Sequence, residues 1–164
     1  MPNEVFAKPC VAAIIENVID GEHCILVQTR RKPNGGDTNG KLELPAGKIR
    51  EYECVFDALR REVLEETGLT VTHVHGEAEA ASDSACGHAT LACTPFCVTQ
   101  NLSGAYSIIL STFICQAEGT PLSRTDETEN IRWLPLRELR LILDHDPDSI
   151  FFMHIIALKK YLQT

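Results

Sequence analysis

Three glutamates near the end of a predicted helix, Glu62, Glu65 and Glu66, are the residues whose spacing most clearly suggests chemistry. They stand at i, i+3 and i+4, so their carboxylates are neighbours on one side of the helix. Placing them there is unfavourable by about 0.3 to 1 kcal/mol each, because the C-terminal end of the helix dipole is negative. A solvated acidic helix face would explain them, and so would a hard divalent cation such as Mg²⁺, which prefers carboxylate oxygens.

The helix that carries these glutamates is predicted from its apolar residues. Four of them recur at helical spacing and form one face: Val55, Phe56, Leu59 and Val63. Gly68 can adopt the left-handed conformation that ends a helix. Glu66 projects into the apolar arc, between Leu59 and Val55. An ordinary surface helix would not place a carboxylate there, which favours a functional site in this turn.

The sequence around this helix resembles the Nudix hydrolase family. Residues 47–69 match the Nudix box, G-x5-E-x7-R-E-U-x-E-E-x-G-U with U a bulky aliphatic residue, at every fixed position. The matching residues are Gly47, Glu53, Arg61, Glu62, Val63, Glu65, Glu66, Gly68 and Leu69. So many identities at fixed offsets are far more specific than a single glycine motif. Tyr52 and Cys54 depart from the usual pattern, but they fall at variable positions.

The order of predicted elements agrees with this resemblance. In chain order they are a hairpin over residues 10–30, the box helix, strands at 69–75, 88–100, 107–115 and 131–135, and helices at 136–143 and 149–162. Polar loops are predicted at 33–40, 77–87 and 118–130. A mixed sheet covered by helices follows, which is an α+β fold. The resemblance implies the Nudix-type α/β/α sandwich with a central mixed β-sheet, as one domain over residues 1–164.

The resemblance also implies an activity. Nudix hydrolases cleave a pyrophosphate bond in a nucleoside diphosphate linked to another group, so a nucleotide, a nucleotide sugar or an ADP-ribose type molecule would be the substrate. The implied cofactor is Mg²⁺, with Mn²⁺ as an alternative, and its ligands would be Ala46 through its carbonyl, Glu62, Glu65 and Glu66. The implied catalytic residues are Glu53, Arg61, Glu62, Glu65 and Glu127. In this scheme Arg61 orients the catalytic carboxylates and Glu53 joins the same network.

One catalytic glutamate lies outside the box. Many members of the family carry a glutamate in the loop ahead of a strand that contains tryptophan, here Trp133, where it serves as metal ligand or base. The offset from Trp133 favours Glu127, with Glu129 as the alternate, although a solvated acidic loop would explain either residue equally well. The general base therefore stays open among Glu65, Glu127 and Glu129. A non-catalytic Nudix-fold nucleotide-binding or sensor module is the alternative function.

A basic cluster, Arg30, Arg31 and Lys32, ends the second predicted strand. It could be a solubilising strand end or a phosphate site, since arginine grips phosphate in a bidentate geometry. Arg30 and Arg31 are therefore candidate substrate-binding residues.

Composition and charge narrow the class of protein and its partners. The length of 164 residues favours one domain, and the net charge of −8 argues against a nucleic-acid polymer as partner. The seven cysteines, with no signal peptide ahead of them, are expected to be reduced thiols in a cytoplasmic protein. Cys93 and Cys97 are predicted to lie in a buried strand rather than in a zinc site. No apolar run approaches the ~20 residues that span a bilayer, and a monomer or a homodimer is expected.

Overall fold

The computed structural model describes residues 4–164, which form ten strands and three α-helices. The strands are β1 (Lys8–Ile19), β2 (Glu22–Arg30), β3 (Leu42–Glu43), β4 (Ala46–Lys48), β5 (Thr70–Val74), β6 (Ala81–Ala85), β7 (His88–Ala92), β8 (Cys97–Gln100), β9 (Ile108–Glu118) and β10 (Thr128–Pro135). The helices are α1 (Val55–Thr67), α2 (Leu136–His145) and α3 (Phe152–Tyr161). Short 3-10 turns occupy Gly36–Thr38 and Pro147–Ser149. Among residues 4–164, no helix is long and apolar enough to cross a bilayer.

The main sheet is mixed. Its strand order is β10-β2-β1-β9-β5, with β3 paired to β2, β4 paired to β1 and β8 paired to β9. Only the β1–β9 ladder among the described pairs is parallel. Asp20 and Gly21 join β1 to β2 with positive φ angles of 51° and 82°, the geometry of a two-residue hairpin turn. The predicted hairpin over residues 10–30 is confirmed.

Two apolar layers cover the two faces of the sheet, and β1 and β2 are therefore buried on both faces. On one side Leu59 and Val63 of α1 pack in a cluster with Val11, Leu26 and Phe113. On the other side α2 and α3 contribute Leu139, Leu143 and Leu158 to a cluster with Ile14, Ile25 and Val27. Helices therefore pack on both faces of a mixed sheet, which confirms the predicted α+β fold and the α/β/α sandwich.

The helix α1 begins and ends where the sequence predicted. Cys54 precedes it without a side-chain cap, and Gly68 ends it in the left-handed conformation with φ 76°. The hydroxyl of Thr67 donates to the carbonyl of Val63 and accepts from the backbone N–H of Leu69, which holds the last turn closed. Glu66 is buried in that turn, as its place on the apolar arc predicted.

The segment after β5 differs from the prediction. The sequence predicted a loop at 77–87 and a buried strand through Cys93 and Cys97, but β6 and β7 form a separate hairpin that is exposed at every residue. The turn of this hairpin places Cys86 and Gly87 at φ 53° and 78°. Asn-Gly and Asp-Gly are the usual sequence signals for such a turn, so Cys-Gly did not indicate one. The strand then breaks at residues 93–96, and Cys93 and Cys97 are only partly buried. The buried strand predicted through both residues is therefore wrong in its extent, because Cys97 begins β8 while Cys93 lies in the break and packs, partly buried, against the core cluster under α1.

The loop before the last strand is also shorter than predicted. The ladder of β10 with β2 begins at Thr128, opposite Arg30, rather than at Ile131. A bulge between Glu129 and Arg132 interrupts the alternation of buried and exposed residues. The sequence pattern therefore did not reveal that the strand begins at Thr128. As a result Glu129 lies within β10, whereas Glu127 stays in the loop.

Candidate active site

An open cleft with a volume of about 680 Å³ lies beside the last two turns of α1. One wall is β4, which pairs with β1 and so lies next to the helix, and the other is the loop that leads into β10. Four glutamates line it and define what we call the carboxylate cleft: Glu62, Glu65, Glu66 and Glu127. Its positive lining is Lys32, Lys48, Arg50 and Arg61. The fold thus brings four of the predicted acidic residues together.

Arg61 is the centre of the ion pairs on the α1 side. Its Nε donates to Glu53 Oε1 at 2.7 Å and its Nη2 donates to Glu53 Oε2 at 2.9 Å, a bidentate pair. Its Nη1 donates to Glu62 Oε1 at 2.6 Å and to Glu65 Oε2 at 3.3 Å. A further bond from Nη2 to the carbonyl of Lys48, at 3.0 Å, ties the helix to β4. Arg61 therefore fixes three carboxylates and one wall of the cleft.

This network keeps Glu53 ionised. The hydrogen bonds from Arg61 lower the pKa of Glu53 to about 2, and the backbone N–H of Arg50 donates to the same carboxylate. The pKa of Arg61 is raised in return, first because of its hydrogen bonds with Glu53. Both groups stay charged throughout the neutral range, so the network is a fixed ionic frame around the box loop.

Gly47 is required by the position of Glu62. A Cβ built on Gly47 would overlap the carboxyl group of Glu62, which lies directly against the glycine backbone. An alanine at this position would fit only if the carboxyl group of Glu62 moved away from Arg61, which donates to it at 2.6 Å. The space that a Cβ would fill holds a carboxylate that lines the cleft.

Glu66 is the buried carboxylate of the cleft, with 6% of its surface exposed. Its Oε2 accepts hydrogen bonds from the backbone N–H of Ala46 at 3.0 Å and from Gln28 Nε2 at 2.7 Å. Its Oε1 lies 3.7 Å from Lys32 Nζ. Burial, and after it the nearby carboxylate of Glu43, raises the pKa of Glu66 to about 7. The carbonyl of Ala46 as a metal ligand stays a prediction.

The opposite wall presents Glu127, paired with Lys32. The Nζ of Lys32 lies 2.7 Å from Glu127 Oε2, and this hydrogen bond lowers the pKa of Glu127. Glu129 is instead paired with Arg31 at 3.2 Å and does not line the cleft. Of the two acidic candidates ahead of Trp133, the geometry therefore brings Glu127 to the other carboxylates.

Of the basic cluster, the cleft receives Lys32 rather than the two arginines predicted to bind substrate. Arg30 is buried, donates to Glu43 at 3.0 Å and to Thr38 at 3.0 Å, and its guanidinium lies 4.5 Å from the ring centroid of Phe151. Arg30 is therefore held in buried contacts within the sheet, outside the cleft lining, and its role in substrate binding stays a prediction. Arg31 is exposed and outside the cleft lining.

Three residues near the carboxylates were missing from the predicted set: Lys32, Gln28 and Glu43. A signal existed for Gln28, which is a polar residue at the end of an otherwise apolar run, residues 24–27. Glu43 lies directly opposite Gln28 in the ladder between β2 and β3. That pairing depends on the fold, because the two residues are far apart in the chain.

The carboxylate cleft suits a hard divalent cation in its chemistry. Its donors are carboxylate oxygens, which Mg²⁺ and Mn²⁺ prefer. Within residues 4–164, no three His, Cys, Asp or Glu side chains converge as a ready-made metal centre. The positive charges nearest the carboxylates are Arg61 and Lys32, so ion binding would exchange part of those contacts for the ion. The donor set fits, and the side chains must adjust to use it.

Comparisons with known proteins bear on this arrangement. The profile of the NUDIX domain family matches residues 8–154. A search of curated proteins found no match. Among solved structures, a MutT NUDIX hydrolase from Burkholderia pseudomallei is 24% identical, with 95% of this chain and 98% of that chain covered and a TM-score of 0.61.

Two further structures share the fold at lower identity. The NUDIX domain of Shewanella oneidensis NrtR, solved in complex with ADP ribose, is 14% identical over 98% of this chain and 89% of that chain, with a TM-score of 0.68. An Ap4A hydrolase from C. elegans, solved as a binary complex, is 14% identical over 94% of this chain and 95% of that chain, with a TM-score of 0.54. At these identities the likeness establishes the fold.

Proposed function

The chain belongs to the Nudix family, and from that premise we propose that it is a Mg²⁺-dependent pyrophosphohydrolase. Its substrate would be a nucleoside diphosphate linked to another group. The observation that carries the proposal is the convergence of Glu62, Glu65, Glu66 and Glu127 on one cleft that also presents Lys32 and Arg61. With Asp126, five carboxylates line one open cleft, which makes chemical sense if cations and phosphates are brought to them.

We assign the cation, Mg²⁺ or Mn²⁺, to Glu62, Glu65, Glu66 and the carbonyl of Ala46. When bound, the cation neutralises phosphate oxygens and lowers the pKa of water. The remaining chemistry belongs to the chain. Arg61 holds Glu62 and Glu65 in place through its hydrogen bonds. Lys32 supplies positive charge where a phosphate would enter the cleft, since its Nζ lies between Glu66 and Glu127.

Glu127 is our choice for the general base. Its pKa is lowered by Lys32, so it is ionised at neutral pH and can accept a proton from an attacking water. Glu65 is the second choice, because it lines the cleft and is half exposed. Glu129 is less suitable, since it lies outside the cleft lining and pairs with Arg31.

For the nucleoside part of the substrate we propose the aromatic residues beside Arg30, which lie outside the residues that line the carboxylate cleft. Tyr106, Phe151 and Phe152 pack together with ring centroids 4.8 to 6.3 Å apart, and Phe152 is 41% exposed. Exposed aromatic rings stack on nucleobases. The ADP ribose bound in the NrtR domain and the activity in the name of the Ap4A hydrolase are consistent with a nucleotide-type substrate here.

The same proposal covers the setting of the enzyme. It acts as a single domain over residues 1–164, as a monomer or a homodimer, in the cytoplasm. The seven cysteines support a reducing compartment because all are free thiols. The net charge of −8 supports a small substrate rather than a nucleic-acid polymer.

The test is a substrate panel on the purified full-length chain. Nucleoside triphosphates, nucleotide sugars, ADP-ribose and dinucleoside polyphosphates are incubated with Mg²⁺, with Mn²⁺ and with EDTA, and products are separated by ion-exchange chromatography. We expect metal-dependent release of a nucleoside monophosphate or of pyrophosphate from at least one class. No cleavage at high enzyme concentration, by a folded protein, would refute the hydrolase.

A non-catalytic nucleotide sensor is the second candidate. The observation that favours it is that Arg61 and Lys32 form ion pairs with the carboxylates of the cleft. These ion pairs stabilise the cleft without any need for a catalytic role of the carboxylates. A thermal shift with a nucleotide that leaves the nucleotide intact after long incubation with Mg²⁺ would establish the sensor and exclude the enzyme.

A further inference from the structure

Gln28 is a fully buried amide that contacts two carboxylates. It ends the apolar run of β2, and like Leu26 it lies on the face of that strand that packs against α1. Its exposed surface is 0%. Its Nε2 donates to Glu66 Oε2 at 2.7 Å and approaches Glu43 Oε1 at 3.4 Å. Its own Oε1 is buried and has no protein partner.

A buried amide with an unpaired oxygen lowers the stability of the folded protein at this position. Leaving a buried acceptor unpaired costs about 1 to 3 kcal/mol, whereas an apolar side chain of similar size would avoid that loss. The nitrogen is the atom that suits this position when both carboxylates are ionised, because an oxygen there would meet two acceptors at hydrogen-bond distance. The reason to retain Gln28 therefore lies in what its N–H group holds.

We propose that Gln28 is a positioning residue for Glu66. Together with the backbone N–H of Ala46 it binds Oε2 of Glu66, and both donors reach the same oxygen. Oε1 is thereby left as the atom that faces the cleft, where Lys32 Nζ lies 3.7 Å away. The carboxylate of Glu66 is held in one rotation and offers one oxygen to a cation. This inference rests on the proposed function, because it concerns a ligand of the same cation.

The far side of Gln28 is itself fixed. Glu43 is 4% exposed, and its Oε2 accepts a hydrogen bond from Arg30 at 3.0 Å. Arg30 is in turn held by Thr38 and lies over the ring of Phe151. The amide of Gln28 thus contacts Glu43 while it donates to Glu66. The orientation of the amide is therefore set by residues that are themselves fixed in the sheet. Partners of this kind behind a metal ligand typically change metal affinity about 10- to 100-fold when replaced.

The experiment measures cation binding directly, on the full-length chain, by the electron paramagnetic resonance of free Mn²⁺. Gln28→Met keeps the volume of the side chain and removes the donor, and we expect the Kd for Mn²⁺ to rise about 10-fold or more. The matched control is Thr112→Val, which also removes a buried, unpartnered polar atom but makes no bond to the carboxylates. It should leave the Kd unchanged.

Two additional measurements separate positioning from a general loss of structure. Gln28→Asn keeps the amide but shortens it by one methylene, so it should weaken Mn²⁺ binding even if Gln28→Met fails to fold. In a Glu66→Gln background, Gln28→Met should have no further effect on the residual affinity, because its influence passes through Glu66. Thermal unfolding of every variant reports whether the fold is retained.

The outcomes are distinct. Wild-type affinity in both folded Gln28 variants, an equal loss in Thr112→Val, or additive losses in the Glu66→Gln background would each overturn this inference. If the wild type binds Mn²⁺ and cleaves a nucleotide while Gln28→Met matches it, only the inference falls. If the wild type neither binds Mn²⁺ nor cleaves any substrate, the proposed function falls and the inference falls with it.

Discussion

The burial of His154 makes the stability of this protein depend on pH in a way that one substitution removes. His154 lies in α3 with 1% of its surface exposed, and neither ring nitrogen has a hydrogen-bond partner among the described residues. Burial, together with the positive charge of Arg30, lowers its pKa from 6.5 to about 3. The folded protein therefore holds this imidazole neutral under conditions where the unfolded chain would protonate it.

The sign and size of the effect follow from that shift. The pKa is lower in the folded state, so the unfolded chain binds more protons, and the stability contributed by neutral His154 is complete above pH 6.5. It is lost as the pH falls from 6.5 toward 3. Each pH unit in that window is worth about 1.4 kcal/mol, which gives a loss of about 2 kcal/mol at pH 5 and about 3 kcal/mol at pH 4.

The assay is urea unfolding of the wild type and of His154→Leu at several pH values from 7.5 to 4. Carboxylates titrate alike in both proteins, so the difference between their free energies of unfolding isolates the histidine. We expect this difference to shift in favour of His154→Leu by about 1.4 kcal/mol per unit below pH 6.5. The control His23→Gln removes an exposed imidazole, and its difference curve is the baseline against which the curve for His154→Leu is read. A flat curve for His154→Leu would refute the reasoning, since it would mean that the folded protein protonates His154.

Three further predictions concern the cleft. Glu127→Gln should lower kcat by about 10² to 10⁴ without changing the melting temperature, as expected for loss of a general base, whereas Glu129→Gln should leave kcat near the wild-type value in the same steady-state assay. Gly47→Ala should lower kcat/KM by about 10² or more, because the new methyl group displaces the carboxyl of Glu62; wild-type kinetics would show that this contact is unimportant. Phe152→Ala should raise KM for a nucleotide about 10-fold while leaving kcat unchanged, because it removes a stacking surface worth about 1 to 3 kcal/mol, and an unchanged KM in that titration would exclude Phe152 from base binding.

The parts of the site that the sequence could predict are those set by local spacing. Glu62, Glu65 and Glu66 share one helix, so their i, i+3, i+4 pattern fixes their relation before any tertiary contact forms. Gly68 ends that helix for a reason that is local to the backbone. The apolar runs of β1 and β2 likewise predicted buried strands because each strand packs between two layers.

The parts that could not be predicted depend on partners distant in the chain. Lys32 rather than Arg30 lines the cleft because Arg30 forms an ion pair with Glu43 of β3, the strand that pairs with β2. The contact of Gln28 with Glu66 spans 38 positions and has no signature in either local pattern. The strand predicted at 88–100 covers β7 and β8, whereas β6 and its pairing with β7 escaped prediction because β6 buries nothing, so neither alternation nor an apolar run marks it.

That exposed hairpin also offers a practical handle. All seven cysteines lie in the described residues, and Cys86 at the hairpin tip is the only one of them that is exposed. A two-stranded ribbon that stands clear of the main sheet is marginal in water by itself, so a change at its tip has little effect on the rest of the fold. Cys86 would therefore be the preferred site for a maleimide dye, ahead of the partly buried Cys54, Cys93 and Cys97, and fluorescence anisotropy of that dye would report ligand binding without any engineered thiol.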